Sequence, residues 1–226
     1  INGLLRDLAA FYTVNLNQEI YNENLNELSL DFKNLSKETC SQISLLKVEI
    51  DQIPEIYKGP LGNYFLDLNL NKNNFFTDIS NYLSYETGQP THCYDANTIN
   101  GKLIFHEIDG DEEFETLLDK KIALTGKNAV FSLNNEVINL AGVVGGKSTS
   151  CSANTKTVIV ECAFFQPEAI IGKSIKYDIQ SEASHKFERG VDPDCHDKVL
   201  RRFIRLVNEH ANIKDMSIIS YKSKDN

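Results

Sequence analysis

The chain has no tryptophan and one methionine in 226 residues, two shortages without functional meaning. Its other deficits exclude more. Cys40, Cys93, Cys151, Cys162 and Cys195 are odd in number and widely spaced, with no CxxC pair. That is no disulfide framework and no zinc site, and it fits reduced thiols in a cytoplasmic protein. No apolar run approaches 18 residues and there is no signal peptide, so no membrane partner is expected. Basic side chains are outnumbered, 23 against 32, for a net charge of −9. A surface that coats nucleic acid is thereby excluded and DNA is not an expected partner, although a local basic patch stays open. The first residue is Ile1 rather than Met, which leads to the expectation of a piece of a longer protein.

What is present is ordinary for a globular chain, at 41% apolar and 24% charged residues. The length allows one large domain, or a domain with a small appendage, around a real core. Residues 1–17 carry Ile1, Leu4, Leu5, Leu8, Phe11 and Val14 on one stripe and predict an amphipathic helix. Residues 21–38 are polar and read as a linker or exposed strand and turn. The division is therefore 1–38, leader helix and linker, and 39–226, the main domain. Strands are predicted at 43–50, 102–108, 121–124, 129–133 and 136–142, with Asn134-Asn135 as a hairpin turn. The apolar run 157–165, interrupted by Glu161, reads as a central buried strand. Helices are predicted over 61–70, from Pro167, and from Asp192-Pro193 to about His210. No internal repeat and no regular βαβ alternation is found. The fold class is α+β, with mixed or antiparallel sheets and flanking helices.

The densest stretch is DISNYLSYETGQPTHCYD, 78–95. Asp78 reads as an N-cap, Gly88 as a C-terminal cap, and Pro90 forces an extended exit. An eight-residue helix is roughly 12 Å long, and 88–92 can cover that distance coming back. Ser80 near the start and His92 beyond the end can then face one cleft. His92 and Cys93, adjacent in extended chain, point opposite ways and form no catalytic pair, which leaves Cys93 as a small packed side chain.

AGVVGGKS, 141–148, fails the Walker spacing and follows a hairpin strand, so it is no ATP loop. It reads as a tight glycine turn or as backbone lying close to a ligand. Strand alternation can send Glu161 to solvent; inside a pocket it would accept a hydrogen bond from a ligand hydroxyl or amine. SEASHKFERGVDP, 181–193, reads either as a polar loop or as an anion- or RNA-contacting one, with Lys186 and Arg189 near Arg201, Arg202 and Arg205.

NYLSYETGQPTHCYD, AGVVGG, VECAFF and SEASHKFERGVDP, in that order over about residues 40–210, resemble the beta subunit of bacterial phenylalanine–tRNA ligase (phenylalanyl-tRNA synthetase). The resemblance implies its central editing domain, which hydrolyses tyrosine wrongly esterified to the phenylalanine tRNA. It implies catalytic positions at Ser80, Asn81 and His92. It implies a tyrosyl pocket of Glu161, Gly145, Gly146 and Ala183, with the glutamate recognising the tyrosine hydroxyl and the small residues leaving room for the ring. Lys186 and Arg189 become tRNA contacts. No metal and no cofactor is implied in this chain, since ATP and Mg are used by the whole enzyme through its alpha subunit. The implied partners are that alpha subunit, the phenylalanine tRNA and tyrosine as editing ligand. Thr91, Cys93 and Tyr94 stand where relatives usually carry a larger aliphatic residue, Ala and Phe, Ser80 where many have Thr, and Lys186 where Arg is commoner. The alternatives are a structural, tRNA-binding module of the same ligase that has lost editing, and a free-standing relative.

Overall fold

The computed structural model describes residues 1–16 and 19–223. After α1 (Asn2–Tyr12) come β1 (Asn26–Glu27), β2 (Phe32–Asn34), β3 (Cys40–Ile50), α2 (Gly59–Asp67), α3 (Phe75–Thr87) and β4 (Thr91–Asp95). Next are β5 (Leu103–Asp109), β6 (Glu112–Glu115), β7 (Lys121–Leu124), β8 (Lys127–Leu133), β9 (Glu136–Leu140) and β10 (Val144–Gly145). The chain closes with β11 (Thr157–Phe165), α4 (Pro167–Ile170), α5 (Lys173–Tyr177), α6 (Glu182–Phe187), α7 (His196–Asn208) and β12 (Ile213–Lys222).

One five-stranded sheet runs β1-β12-β3-β11-β4, antiparallel except for the β1–β12 pair. The other runs β10-β9-β8-β5-β2, antiparallel except for β2–β5. Strands β6 and β7 pair with each other. This is the α+β architecture with mixed sheets and flanking helices that the sequence predicts. Asn134 and Asn135 both take positive φ, 51° and 74°, as a two-residue hairpin turn between β8 and β9 requires.

Two cores result. Ile43, Leu45, Tyr94, Ile159, Ala163 and Phe165 of the first sheet pack with Leu103, Phe105, Phe131 and Leu140 of the second. Leu46, Val48, Val158, Val160 and Cys162 face α2, α3 and α7, packing with Phe65, Ile79, Leu83, Phe203 and Ile204. Successive side chains of a strand point to opposite faces. Strand β11 therefore sends one set of residues into each core, which is why it reads as a continuous apolar run. The same alternation puts Glu161 on the face of Ile159 and Ala163, between the sheets and 5% exposed. Its solvent-facing reading is thereby overturned.

Several local expectations shift. Helix α3 starts at Phe75, because Phe75 and Phe76 belong to the core, and its N-cap is Asn74, whose side chain accepts from the Thr77 amide at 3.1 Å. Asp78 lies inside the first turn, fully buried, accepting from the Tyr57 hydroxyl at 2.7 Å and the Asn73 amide at 2.9 Å. Gly88 caps the other end at φ 87°, as expected. Helix α7 starts at His196; Asp192 accepts from the Asp194 amide at 2.9 Å and closes the preceding turn instead of capping the helix. Residues 182–187, expected as loop, form α6, capped by Ser181. Segment 21–38 supplies one short strand to each sheet and buries Leu28 and Phe32. Helix α1 ends at Tyr12 with its apolar stripe outward, Leu4 at 66% and Phe11 at 79% exposure. Residue 17, the expected end of that helix, lies outside the described residues.

Candidate functional site

The Pro90 exit works as the sequence suggests. After Gly88 the chain reverses into β4, and β4 runs alongside α3 while pairing with β11. The Ser80 hydroxyl in the middle of α3 lies 2.7 Å from the Thr91 carbonyl oxygen and 2.7 Å from the Thr91 hydroxyl. Those bonds lock helix to strand.

Beside this joint opens a cavity of about 500 Å³. Its walls bring together Ser80 and Asn81 from α3, His92 from β4, Gly145 from β10, Glu161 from β11 and Ala183 from α6. Six positions, spread over a hundred residues of sequence, converge on one space. Gly146 does not line it. It sits directly behind, where a Cβ would lie 2.6 Å from the Ile138 carbonyl oxygen and 2.9 Å from the Phe114 ring. Lys186 and Arg189 do not line it either. The Lys186 ammonium donates to the carbonyl and hydroxyl of Ser84, at 3.0 and 2.7 Å, and Arg189 to the His185 carbonyl at 2.8 Å. The arginine stripe of α7 is engaged within the chain. Arg201 pairs with Asp197, Arg202 with Glu86 and Arg205 with Glu209.

The polar floor of the cavity is one cross-strand pair. Glu161 of β11 stands opposite His92 of β4. Burial pushes the Glu161 carboxyl up to about 7, and only a hydrogen bond from Tyr94 opposes the shift. The Tyr94 hydroxyl donates to Glu161 Oε2 at 2.8 Å, and Asn139 Nδ2 donates to that hydroxyl at 2.8 Å. Burial also pushes His92 down to about 4, so its ring is neutral at physiological pH. His92 Nε2 is shut off from solvent with no hydrogen-bond partner. A Cβ on Gly145 would lie 2.7 Å from that nitrogen and closer still to Cε1. Only glycine lets the β10 backbone approach the imidazole this closely.

Gly142, at φ 69°, forms the tight turn between β9 and β10 that the sequence allowed, and Gly145 lies against the His92 ring. Cys93 points into the helix-side core, its thiol bonded to the Phe76 carbonyl at 3.5 Å and pushed by burial well above the usual thiol range. It is a poor nucleophile there. Among the described residues no group of three His, Cys, Asp or Glu side chains is placed to hold a metal ion, and no helix is long and apolar enough to cross a membrane.

Sequence reasoning missed Asn139 and the parts played by Tyr94 and Thr91. Tyr94 was detectable in principle, since it shares a strand face with His92 two residues away. Asn139 was not, because it arrives from a different hairpin. The mouth of the cavity adds Leu117 and Leu118, 43% and 57% exposed, from the turn between β6 and β7. That turn hangs on the site through the Leu117 amide, which donates to the Gly145 carbonyl at 3.0 Å.

Comparison with known proteins finds relatives of this chain. A family model described as the B3/4 domain matches residues 62–212. The phenylalanine–tRNA ligase beta subunit of Psychrobacter arcticus is 27% identical over 234 residues, covering 100% of this chain and 29% of that protein. The beta subunit of Francisella tularensis is 36% identical over 137 residues, 61% of this chain and 17% of that protein. The chain spans less than a third of the length of these curated relatives. The crystal structure of an N-terminal fragment of the phenylalanyl-tRNA synthetase beta subunit from Pyrococcus horikoshii superposes with a TM-score of 0.54, over 91% of this chain and 57% of that one. At 8% identity that likeness concerns the fold alone.

Proposed function

Since this chain belongs to the B3/4 domain family and is similar to beta subunits of phenylalanine–tRNA ligases, we propose that its cavity hydrolyses tyrosine esterified to the phenylalanine tRNA. The observation that carries the reading is Glu161: a buried carboxylate, aimed into the cavity, at the floor of a space lined by small residues. A tyrosyl hydroxyl satisfies such an acceptor, and a phenylalanyl ring leaves it without that donor. Sites built to bond a hydroxyl reject its absence far more strongly than apolar pockets reject an added group. The cavity lies within the usual range for small-ligand sites, about 300–1,000 Å³.

Hydrolysis adds water across the ester. The water oxygen bonds to the carbonyl carbon, the ribose oxygen leaves, and the proton released by water ends on that oxygen. The step asks for an oriented water and a polarised carbonyl. The neutral imidazole of His92 and the Asn81 amide at the rim are the positioning groups in this reading. Ser80, bound to Thr91, holds the wall between them. Gly145 lets the β10 backbone approach His92 and so sets the place of the imidazole, and Ala183 keeps room for the ring. The phenylalanine tRNA and an alpha subunit are the partners. ATP and Mg belong to that separate subunit and enter none of this chemistry.

A module that had lost editing would be expected to close the cavity or turn Glu161 to solvent. The open cavity and the inward carboxylate favour the hydrolytic reading. The test is deacylation of tyrosyl-tRNA(Phe) by the complete enzyme carrying Glu161→Ala. Loss of deacylation with phenylalanine charging intact is expected. Deacylation at the unaltered rate overturns the proposal.

A further inference from the structure

The cavity carboxylate already holds a phenol, and the phenol belongs to the chain itself. Tyr94 is wholly buried, does not line the cavity, and donates its hydroxyl to Glu161 Oε2 at 2.8 Å. Its ring cannot swing away. It meets His92 edge-on, with centroids 4.4 Å apart at 76°, and its centroid lies 6.4 Å from that of Phe131. Its hydroxyl is fixed in turn by Asn139 Nδ2 at 2.8 Å. Asn139 sits on β9, in register with Gly145 of β10 and Phe131 of β8, so sheet pairing holds that donor in place. The chain Asn139 to Tyr94 to Glu161 is thus a directed relay of hydrogen bonds ending on one carboxylate oxygen.

A carboxylate with several lone-pair sites accepts more than one donor, but each donor reduces the negative charge left for the next. A buried carboxylate with no donor is in a different position, since it bears the full desolvation penalty and any hydroxyl offered relieves it. Tyr94 moves Glu161 from the second state towards the first before a ligand arrives.

We propose that Tyr94 is a specificity-determining positioning residue: its hydroxyl saturates one oxygen of Glu161, leaves Oε1 as the acceptor for a ligand, and thereby moderates the preference of the cavity for phenol over phenyl rings. The inference rests on the reading of Glu161 as the acceptor of the tyrosine hydroxyl. It goes beyond that reading by assigning the strength of the preference to a residue the ligand does not touch. Tyr94→Phe keeps the ring, its packing on His92 and the shape of the core, and removes only the built-in donor.

The test is titration of the 226-residue chain with L-tyrosine and with L-phenylalanine over pH 7 to 9, each protein being compared where its affinities no longer change with pH, because loss of the Tyr94 bond raises the carboxyl further. The unaltered chain, Tyr94→Phe, Glu161→Ala and the double variant are compared. The ratio of the two affinities is the readout, because a merely structural defect weakens both ligands alike. The expected result is a ratio that rises about three- to tenfold in Tyr94→Phe, with no such rise in the Glu161→Ala background. A ratio that is unchanged or lower in Tyr94→Phe, while Glu161→Ala abolishes the preference, overturns the role of Tyr94 and leaves the reading of the site standing. No preference in any of the four proteins overturns both. Thermal unfolding is recorded alongside. Should Tyr94→Phe fail to fold, Tyr94→Met, which also removes the donor and refills its space with an apolar side chain, is read in the same assay with the same rise expected.

Discussion

The Ser80 hydroxyl lies 2.7 Å from both the carbonyl oxygen and the hydroxyl of Thr91, so the middle of α3 is bonded to the first residue of β4. Both are cavity residues. Ser80→Ala strands two polar atoms of Thr91 at a half-buried joint. A loss of about 1–2 kcal/mol is expected in urea unfolding, and Ser80→Thr is expected to retain most of it. If Ser80→Ala unfolds at the same urea concentration as the unaltered chain, the joint is not stabilising.

Gly145 cannot accept a side chain without displacing His92. A Cβ placed 2.7 Å from His92 Nε2 meets a ring packed on Tyr94, which has no free end to yield. Gly145→Ala is expected to cost about 1–3 kcal/mol, as overpacking does, and to weaken tyrosine binding. Gly110, with nothing within 4 Å of its Cβ position, is the control, and Gly110→Ala should leave both unchanged.

The pH dependence of stability carries the mark of Glu161. Its carboxyl titrates at about 7 in the folded chain against 4.5 as the ordinary value. Between those values the folded chain keeps a proton that the unfolded chain has released, so stability falls as pH rises through the window. His92, held at about 4 against 6.5, has the opposite sign, gaining stability as pH rises between those values. Comparison with Glu161→Gln cancels the histidine. The stability of the unaltered chain relative to that variant should drop by on the order of 3 kcal/mol from pH 4.5 to pH 7. Parallel curves for the two proteins would contradict the burial of a titrating carboxyl.

Arg202 and Glu86 form a two-pronged pair at 3.0 and 3.1 Å, with side chains only 12% and 17% exposed. Arg202 also donates to the Glu19 carbonyl at 3.0 Å. Arg202→Ala leaves Glu86 with the Tyr82 hydroxyl alone, and a loss of about 2–3 kcal/mol is expected in chemical denaturation. Arg202→Lys should recover less than half, since an ammonium cannot reproduce the planar fork.

Local periodicity made β7 and β11 legible to the residue, and turn chemistry located Asn134-Asn135 and the Gly88 cap. The start of α3 was not legible. The N-cap is Asn74, the last member of the Asn-rich run 71–74, and the aromatic pair after it is core. The placement of Glu161 was not legible either, because alternation names two faces without saying that both are covered. That needs the second sheet, assembled from residues 32–34 and 103–145. Segment 181–193 read as polar loop because α6 is too short to establish a helical period. The meeting of Ser80 with His92 followed from helix length and a proline exit. The bond from Asn139 to Tyr94 spans 45 positions and two sheets, and nothing local announces it.

Strand β3 is sandwiched in its sheet by β11 on one side and β12 on the other, and β1 pairs outside β12. A ribosome releasing this chain from its amino end delivers Cys40–Ile50 long before Ile213–Lys222 exists to pair with it. Residues 26–27 wait still longer for Ser217 and Ile218. The sheet that carries Glu161 therefore cannot be completed until residues 213–222 have emerged. Contacts this distant in sequence make for slow folding. Until they form, the edge of β3 is an open template for stray strands.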